Sequence, residues 1–246
     1  MKNKLCGTIP TIFLFLLATI ALPDPALSAA EIIIDHASVD SFSRIPDPAL
    51  SAAKRLRVML RIASVGGNIY NGLNALSSRN AKYNHGNWQF QSRGNPGAEA
   101  KITDFVNEVA AHYDNFDVLS MKFCFIDARV SFADYRDAMN NLEAEYPSKR
   151  FVWWTMPITI GDGASPAREA FNNKVRSYAR DNNKILFDIA DIESYDTDGQ
   201  ACTYQGYEAL CGNYAADIGH LNGFGSQRVA QAFWCLMARI ASGDGD

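Results

Sequence analysis

The chain has 246 residues, enough to bury one sizeable core, and a single α/β domain of this length is ordinary. Its 48% hydrophobic and 20% charged residues indicate a globular protein and exclude an intrinsically disordered one. The net charge of −4 at pH 7 argues against the basic surface that nucleic acid requires, so we expect no nucleic-acid partner.

The first 30 residues have the pattern of a secretory signal peptide. Lys2 and Lys4 give a positive start, and the apolar stretch TIFLFLLATIAL is short for a membrane span. The small residues of LSAA then offer a cleavage site after Ala30, although an uncleaved N-terminal anchor is the alternative. We therefore predict a signal over 1–30 and one secreted or periplasmic domain over 31–246. That domain would carry a net charge of −5 and keep no stable membrane anchor.

Downstream of this segment, apolar runs alternate with segments of helical periodicity. The predicted elements are strand 55–63, helix 68–79, strand 87–91, helix 98–113, strand 116–126, helix 132–146, strand 150–158, helix 166–182, strand 184–189 and helix 223–240. This alternation predicts a parallel sheet covered by helices on both faces, a doubly wound three-layer α/β/α sandwich. Trp153 and Trp154 are neighbours in one strand, so we expect one in the core on each face.

In such a sheet, ligands bind beyond the carboxyl ends of the strands, so residues directly after strands are the first candidates for a site. The segment ASVGGN (63–68) follows the first strong strand and opens a helix. Ser64 would present its hydroxyl there, while Gly66 and Gly67 let the backbone approach a substrate oxygen near a helix N-terminus. The same residues also form ordinary turns and helix caps, so this segment alone leaves both interpretations open.

Two further segments also lie between a strand and a helix. RGNPGAEAKI (93–102) contains Gly94 and Gly97, which can offer an N–H to an oxyanion or simply form a turn. MKFCFID (121–127) ends on Asp127, at the predicted end of its strand.

The segment ADIGHLNGFGSQRVAQAF (216–233) places Asp217 three residues before His220, just ahead of the last helix. An aspartate and a histidine so placed can be the orienter and the general base of a hydrolase. They can also be a helix cap and an incidental histidine.

Taken together, these segments resemble the SGNH (GDSL-like) hydrolase superfamily. That family has a nucleophilic serine after its first strand, an oxyanion glycine after the second, an asparagine after the third, and Asp-x-x-His before the final helix. The similarity covers about 55–240, and DIGHLNGFGSQRVAQAF is its most specific part. It implies a flavodoxin-like fold of the SGNH type, with Ser64 as nucleophile, His220 as base, Asp217 as its orienter and Gly97 as an oxyanion donor. It implies no metal and no organic cofactor.

The third segment departs from the family pattern, because KFCFID contains no asparagine. Cys124 or Asp127 stands in that region, where a thiol donates weakly and an ionised carboxylate would repel an oxyanion. Asn68 and Asn95 are candidates to supply the missing donor, and the oxyanion hole is otherwise weaker.

Four cysteines remain after the predicted signal. Cys202 and Cys211 flank the loop CTYQGYEALC, and an exported protein favours a disulfide there. A zinc site is disfavoured because no CxxC or nearby histidine pair completes a tetrahedral set. Cys124 and Cys235 stand in apolar runs and are expected as buried free thiols.

The leading interpretation is an exported serine ester hydrolase that acts on a small-molecule or glycan ester through an acyl-enzyme. The carbohydrate part depends on export and on the tyrosines in the loop before Asp217. A non-catalytic glycan-binding or interaction protein on the same fold is the alternative. A nucleotide-cofactor binder is disfavoured, because no Gly-x-Gly-x-x-Gly follows the first strand.

Overall fold

The computed structural model describes residues 32–243, so the predicted signal peptide lies outside the described residues. The strands and helices, in chain order, are β1 (Ile33–Ile34), α1 (His36–Val39), α2 (Asp47–Arg55), β2 (Val58–Ile62), α3 (Val65–Arg79), β3 (Trp88–Ser92), α4 (Ala98–His112), β4 (Val118–Met121), α5 (Phe132–Glu145), β5 (Arg150–Trp154), α6 (Ser165–Asp181), β6 (Ile185–Phe187), α7 (Ile189–Ser194), β7 (Thr203–Tyr204), β8 (Tyr207–Glu208) and α8 (Gly223–Ser242). Within this part of the chain, no helix is long and apolar enough to cross a membrane.

Six strands form one sheet in the order β1-β6-β5-β4-β2-β3, and every neighbouring pair is parallel. Helices α1, α2, α3, α7 and α8 share one face of this sheet, while α4, α5 and α6 cover the other. The predicted doubly wound three-layer sandwich is therefore confirmed. Strands β7 and β8 form a separate antiparallel hairpin in the loop that precedes α8.

Each face of the sheet has its own apolar core, and the tryptophan pair of β5 contributes to both. Trp154 packs in the core beneath α8 and Trp153 in the core beneath α4, α5 and α6, and both are 0% exposed. Successive residues of a strand point to opposite faces, which is why adjacent tryptophans reach different cores. The prediction for this pair is confirmed.

The sheet also determines where a crevice can open. The chain passes from β2 outward to β3 and then returns to the other side of β2 with β4, so the winding reverses between β2 and β4. At such a reversal the connections leave the sheet in opposite directions and a crevice opens beyond the carboxyl ends of the two strands. Ser64 lies two residues after the end of β2, at this position.

The strand predicted over 116–126 is shorter in the structure, because β4 ends at Met121. The chain then turns into a short 3₁₀ segment, Phe125–Asp127. The Asp127 carboxylate turns back to accept the Cys124 N–H at 2.7 Å, which ends the extended chain and stabilises the turn instead.

Candidate active site

Ser64 forms the sharp turn between β2 and α3. Its backbone dihedral angles are φ 53° and ψ −118°, a conformation that glycine adopts more readily than other residues. The turn is closed by a hydrogen bond from the Gly66 N–H to the Ala63 carbonyl at 3.0 Å. A non-glycine residue held in such a conformation costs about 1–3 kcal/mol and is commonly found at functional sites. The turn leaves the half-buried Ser64 side chain at the carboxyl edge of the sheet.

The structure brings Ser64 next to the Asp217–His220 pair, which lies more than 150 residues further along the chain. The Ser64 Oγ lies 2.7 Å from the His220 Nε2. On the other side of the ring, the His220 Nδ1 lies 2.8 Å and 3.0 Å from the two carboxylate oxygens of Asp217. A hydroxyl, an imidazole and a carboxylate in this order have the geometry of a serine hydrolase triad.

The loop before α8 positions the carboxylate of Asp217. The backbone N–H groups of Gly219 and His220 donate to its Oδ1 at 3.0 and 2.8 Å. These two bonds, followed by the bond from the His220 ring, lower the pKa of Asp217 to about 2. The carboxylate is therefore ionised at any ordinary pH, although its side chain is 55% exposed to solvent.

Two contacts anchor residues 217–221, here called the histidine loop. The Asn68 amide donates to the Leu221 carbonyl at 3.1 Å and accepts from the Leu221 N–H at 3.3 Å. The Phe125 ring packs edge-on to His220 with 5.5 Å between ring centroids, and a Cβ on Gly219 would overlap that ring. Asn68, a candidate oxyanion donor from the sequence, thus uses both ends of its amide to tie α3 to the loop.

Cys124 and Asp127, the residues that stand where the family has its asparagine, bind other partners in the structure. Asp127 is 7% exposed and forms a buried ion pair with Lys101, so its carboxylate is engaged inside the protein. The Cys124 side chain accepts the Asp127 N–H in a reciprocal cap and is 1% exposed. The cap and the ion pair engage both side chains inside the protein, so the two residues that stand where the family has its asparagine are held by other partners.

The loop after β3 contains the remaining two candidates. Gly97 immediately precedes α4 with φ 99°, a conformation that requires glycine, and Asn95 is exposed in the same loop. Both lie at the carboxyl edge of the sheet, and their role as oxyanion donors stays a prediction.

Two cations that sequence reasoning did not single out lie at the ends of the strands that flank β2. Arg93 directly follows β3, and Lys122 directly follows β4 and is fully buried. Burial lowers the pKa of Lys122 to about 8. Their position one residue after a strand was the available signal.

Exposed isoleucines lie beside the triad. Ile126, Ile160 and Ile218, here called the apolar rim, are 61%, 47% and 47% exposed. The Ile160 N–H donates to the Ile218 carbonyl at 2.9 Å, and Ile126 follows the ring of Phe125 that packs on Gly219. The apolar rim therefore lies along the segment that carries His220 and exposes apolar surface near that ring.

A cavity of about 590 Å³ lies elsewhere, between α1, α2 and the C-terminal part of α8. Ile34, Ser38, Ile45, Cys235 and Ala238 are among the residues that line it. The triad residues do not line it, so volume alone does not identify this site and the chemistry of the side chains does.

The cysteines adopt the predicted states. Cys202 and Cys211 form a disulfide with 5.3 Å between their Cα atoms, and Cys124 and Cys235 are buried free thiols. The Leu210 N–H, next to the disulfide, donates to the Thr159 carbonyl at 2.8 Å, which fastens this loop beside the apolar rim.

At least one solved structure shares this fold. No known family profile matches the sequence, and no curated protein is significantly similar to it. A protein assigned to the G-D-S-L lipolytic family from Desulfitobacterium hafniense DCB-2 superposes with a TM-score of 0.53 at 13% identity, over 73% of this chain and 99% of that one. A GDSL-like lipase from Bacteroides thetaiotaomicron VPI-5482 gives a TM-score of 0.49 at 10% identity, over 82% and 98% of the two chains. The acetyl xylan esterase AlAXEase gives 0.47 at 17% identity, over 82% and 96%.

At this level of identity the first of these neighbours establishes a shared fold and nothing more. The resemblance to the SGNH hydrolases is confirmed in that sense: this chain is a divergent protein with the α/β fold of the GDSL/SGNH proteins.

Proposed function

We propose that this protein is an exported serine ester hydrolase with Ser64 as its nucleophile. One observation carries the proposal, the continuous chain of hydrogen bonds from the Ser64 hydroxyl through the His220 ring to the Asp217 carboxylate. The strained turn at Ser64 supports it, since an ordinary helix cap does not require that conformation.

The mechanism follows from the roles that these atoms can take. The His220 Nε2 accepts the Ser64 proton as the Oγ attacks the ester carbonyl, and the resulting imidazolium is stabilised by Asp217. The oxyanion is held by the backbone N–H groups of Ser64 and Gly97. His220 then protonates the departing alcohol, and water, activated by the same ring, releases the acid from Ser64.

The surroundings of the triad bear on the substrate. The apolar rim suits the hydrocarbon part of an acyl group, and the open position of the triad leaves room for a large alcohol such as a glycan. Trp153 and Trp154 are buried in the two cores and cannot stack on a sugar. Tyr204, 37% exposed and packed on Gly161, is the better candidate for that contact.

Export is also part of the proposal. A disulfide between Cys202 and Cys211 persists in an oxidising compartment, which is consistent with the predicted signal peptide. N-terminal sequencing of the exported chain should find cleavage after Ala30.

The test is hydrolysis of p-nitrophenyl acetate and butyrate by the wild type, beside Ser64→Ala and His220→Ala. Each variant should lose essentially all turnover while its circular dichroism is unchanged, because the two side chains act as one proton-transfer unit. A fluorophosphonate probe should label wild-type Ser64 and leave Ser64→Ala unlabelled. A wild type that is neither active nor labelled would overturn the enzyme assignment in favour of a glycan-binding protein on the same fold.

A further inference from the structure

In the SGNH pattern that this sequence resembles, an asparagine after the third strand donates a side-chain hydrogen bond to the oxyanion. The proposed mechanism lacks this donor, because no asparagine stands in that segment. Asn68 is bound at both ends to Leu221, and the Cys124–Asp127 cap faces inward. Losing one oxyanion donor typically costs about 10²–10³ in turnover, so a replacement matters for catalysis.

The Arg93 side chain lies across the end of the strand that leads to the nucleophile. The backbone N–H of Arg93 donates to the Ile62 carbonyl at 3.1 Å, two residues before Ser64. At the other end, the Arg93 Nη2 donates to the Lys122 carbonyl at 2.6 Å. Because β3 and β4 flank β2, this side chain spans the carboxyl end of β2, next to the turn of Ser64.

The guanidinium of Arg93 has donors to spare. Its Nε and Nη1 are shielded from solvent and have no acceptor among the described residues. Buried donors without partners are rare in folded proteins, because each costs about 1–3 kcal/mol. An acceptor that arrives only with the substrate would satisfy them.

Arg93 also forms no ion pair with any carboxylate among the described residues. Asp104, the carboxylate with the largest influence on it, is held by Arg61 through two hydrogen bonds of 3.0 and 2.8 Å. Asp127 is held by Lys101. Burial consequently lowers the pKa of Arg93 to about 10, which still leaves it cationic at neutral pH.

We propose that Arg93 is a catalytic residue that donates from Nε or Nη1 to the oxyanion formed on the ester carbonyl, in place of the family's asparagine. This inference rests on the proposed function. A cationic donor forms a stronger hydrogen bond to an anion than a neutral amide does, and it strengthens further where water is excluded.

The test compares Arg93→Ala and Arg93→Lys with the wild type on p-nitrophenyl acetate, a neutral ester. Arg57→Gln is the control, since that arginine is exposed at the amino end of β2 and pairs with Asp117. Arg93→Ala should lower kcat by about 10²–10³ with KM changed less than about threefold, and Arg93→Lys should keep part of the rate. Guanidinium chloride at millimolar concentration should partly restore Arg93→Ala, which loss of a purely structural contact would not allow.

Each outcome decides the proposal. Full kcat in a folded Arg93→Ala would overturn it while leaving the hydrolase assignment intact. A rise in KM confined to an anionic ester such as a hemisuccinate would also overturn it, because Arg93 would then bind the substrate's charge. If Arg93→Ala does not fold, as judged by circular dichroism, Arg93→Lys and Arg93→Met are measured instead. Wild-type kcat in both of these variants would refute the role. An inactive, unlabelled wild type would overturn both proposals together.

Discussion

Ser64, the proposed nucleophile, has a backbone conformation that disfavours its own side chain. We expect the free energy of unfolding of Ser64→Gly to exceed that of Ser64→Ala by about 1 kcal/mol, because glycine adopts the positive φ without strain. Urea unfolding of both inactive variants measures this difference. Equal stabilities would mean that the turn is not strained.

Asp217 belongs to the proposed triad and its side chain is exposed, which should moderate its contribution to catalysis. Replacing it with Asn removes the charge that stabilises the His220 imidazolium, so kcat should fall by about 10²-fold. This is less than the roughly 10⁴-fold loss for a buried triad aspartate, because water can reach the 55% exposed side chain and orient the ring. Steady-state hydrolysis of p-nitrophenyl acetate measures it, and an unchanged kcat would remove Asp217 from the mechanism.

Glu193 introduces a pH dependence into the stability of the fold. It is 1% exposed, its Oε2 accepts the Ile158 N–H at 2.9 Å, and burial raises its pKa from 4.5 to about 8 despite the nearby charge of Lys122. Between these pH values the native state holds a proton that the unfolded chain has lost, so this group makes the free energy of unfolding fall as pH rises.

The variant Glu193→Gln removes that ionisation. Its stability relative to the wild type should therefore increase steadily from pH 5 to pH 8, as measured by urea unfolding at several pH values. Glu99→Gln, at an exposed position of α4, is the control and should run parallel to the wild type. A parallel curve for Glu193→Gln would contradict the assignment.

At the scale of elements, two glycines of α3 have opposite environments. A Cβ at Gly72 would overlap the Ser226 carbonyl of α8, while a Cβ at Gly67 meets nothing within 4 Å. Gly72→Ala should destabilise the protein by about 1–3 kcal/mol by forcing the two helices apart. Gly67→Ala should stabilise it by about 0.5–1 kcal/mol through helix propensity alone. Urea unfolding of the two variants measures both changes in the free energy of unfolding. An unchanged value for Gly72→Ala would show that α3 and α8 shift to accommodate the added methyl group.

Helices with a long apolar stripe could be predicted from sequence, whereas β1 and α7 could not. Helix α4 was expected over 98–113 and runs over Ala98–His112, because its apolar stripe carries the information locally. Strand β1 has two residues, and its pairing with β6 depends on a partner about 150 residues away. Helix α7 has six residues, too few for a recognisable period.

At the scale of the whole molecule, the disulfide holds the loop that carries β7 and β8. Replacing Cys202 and Cys211 together by Ser should lower the free energy of unfolding by about 2–3 kcal/mol, the closure entropy expected for a loop of this length. The double variant avoids an unpaired thiol, and wild type treated with dithiothreitol is the matched control. Free thiols at both positions in protein purified without reductant would contradict the bond.

The sequence by itself determined the class of fold and the order of the site segments, since both depend on periodicity and on which residue follows which strand. It located Ser64 and the Asp217–His220 pair for that reason. Only the tertiary structure decided that Asn68 anchors a loop, that Asp127 pairs with Lys101, and that Arg93 spans the end of β2. The physical reason is that a polar side chain takes its role from the partner it meets in space, and these partners come from other strands and helices, at separations along the chain that no local pattern records.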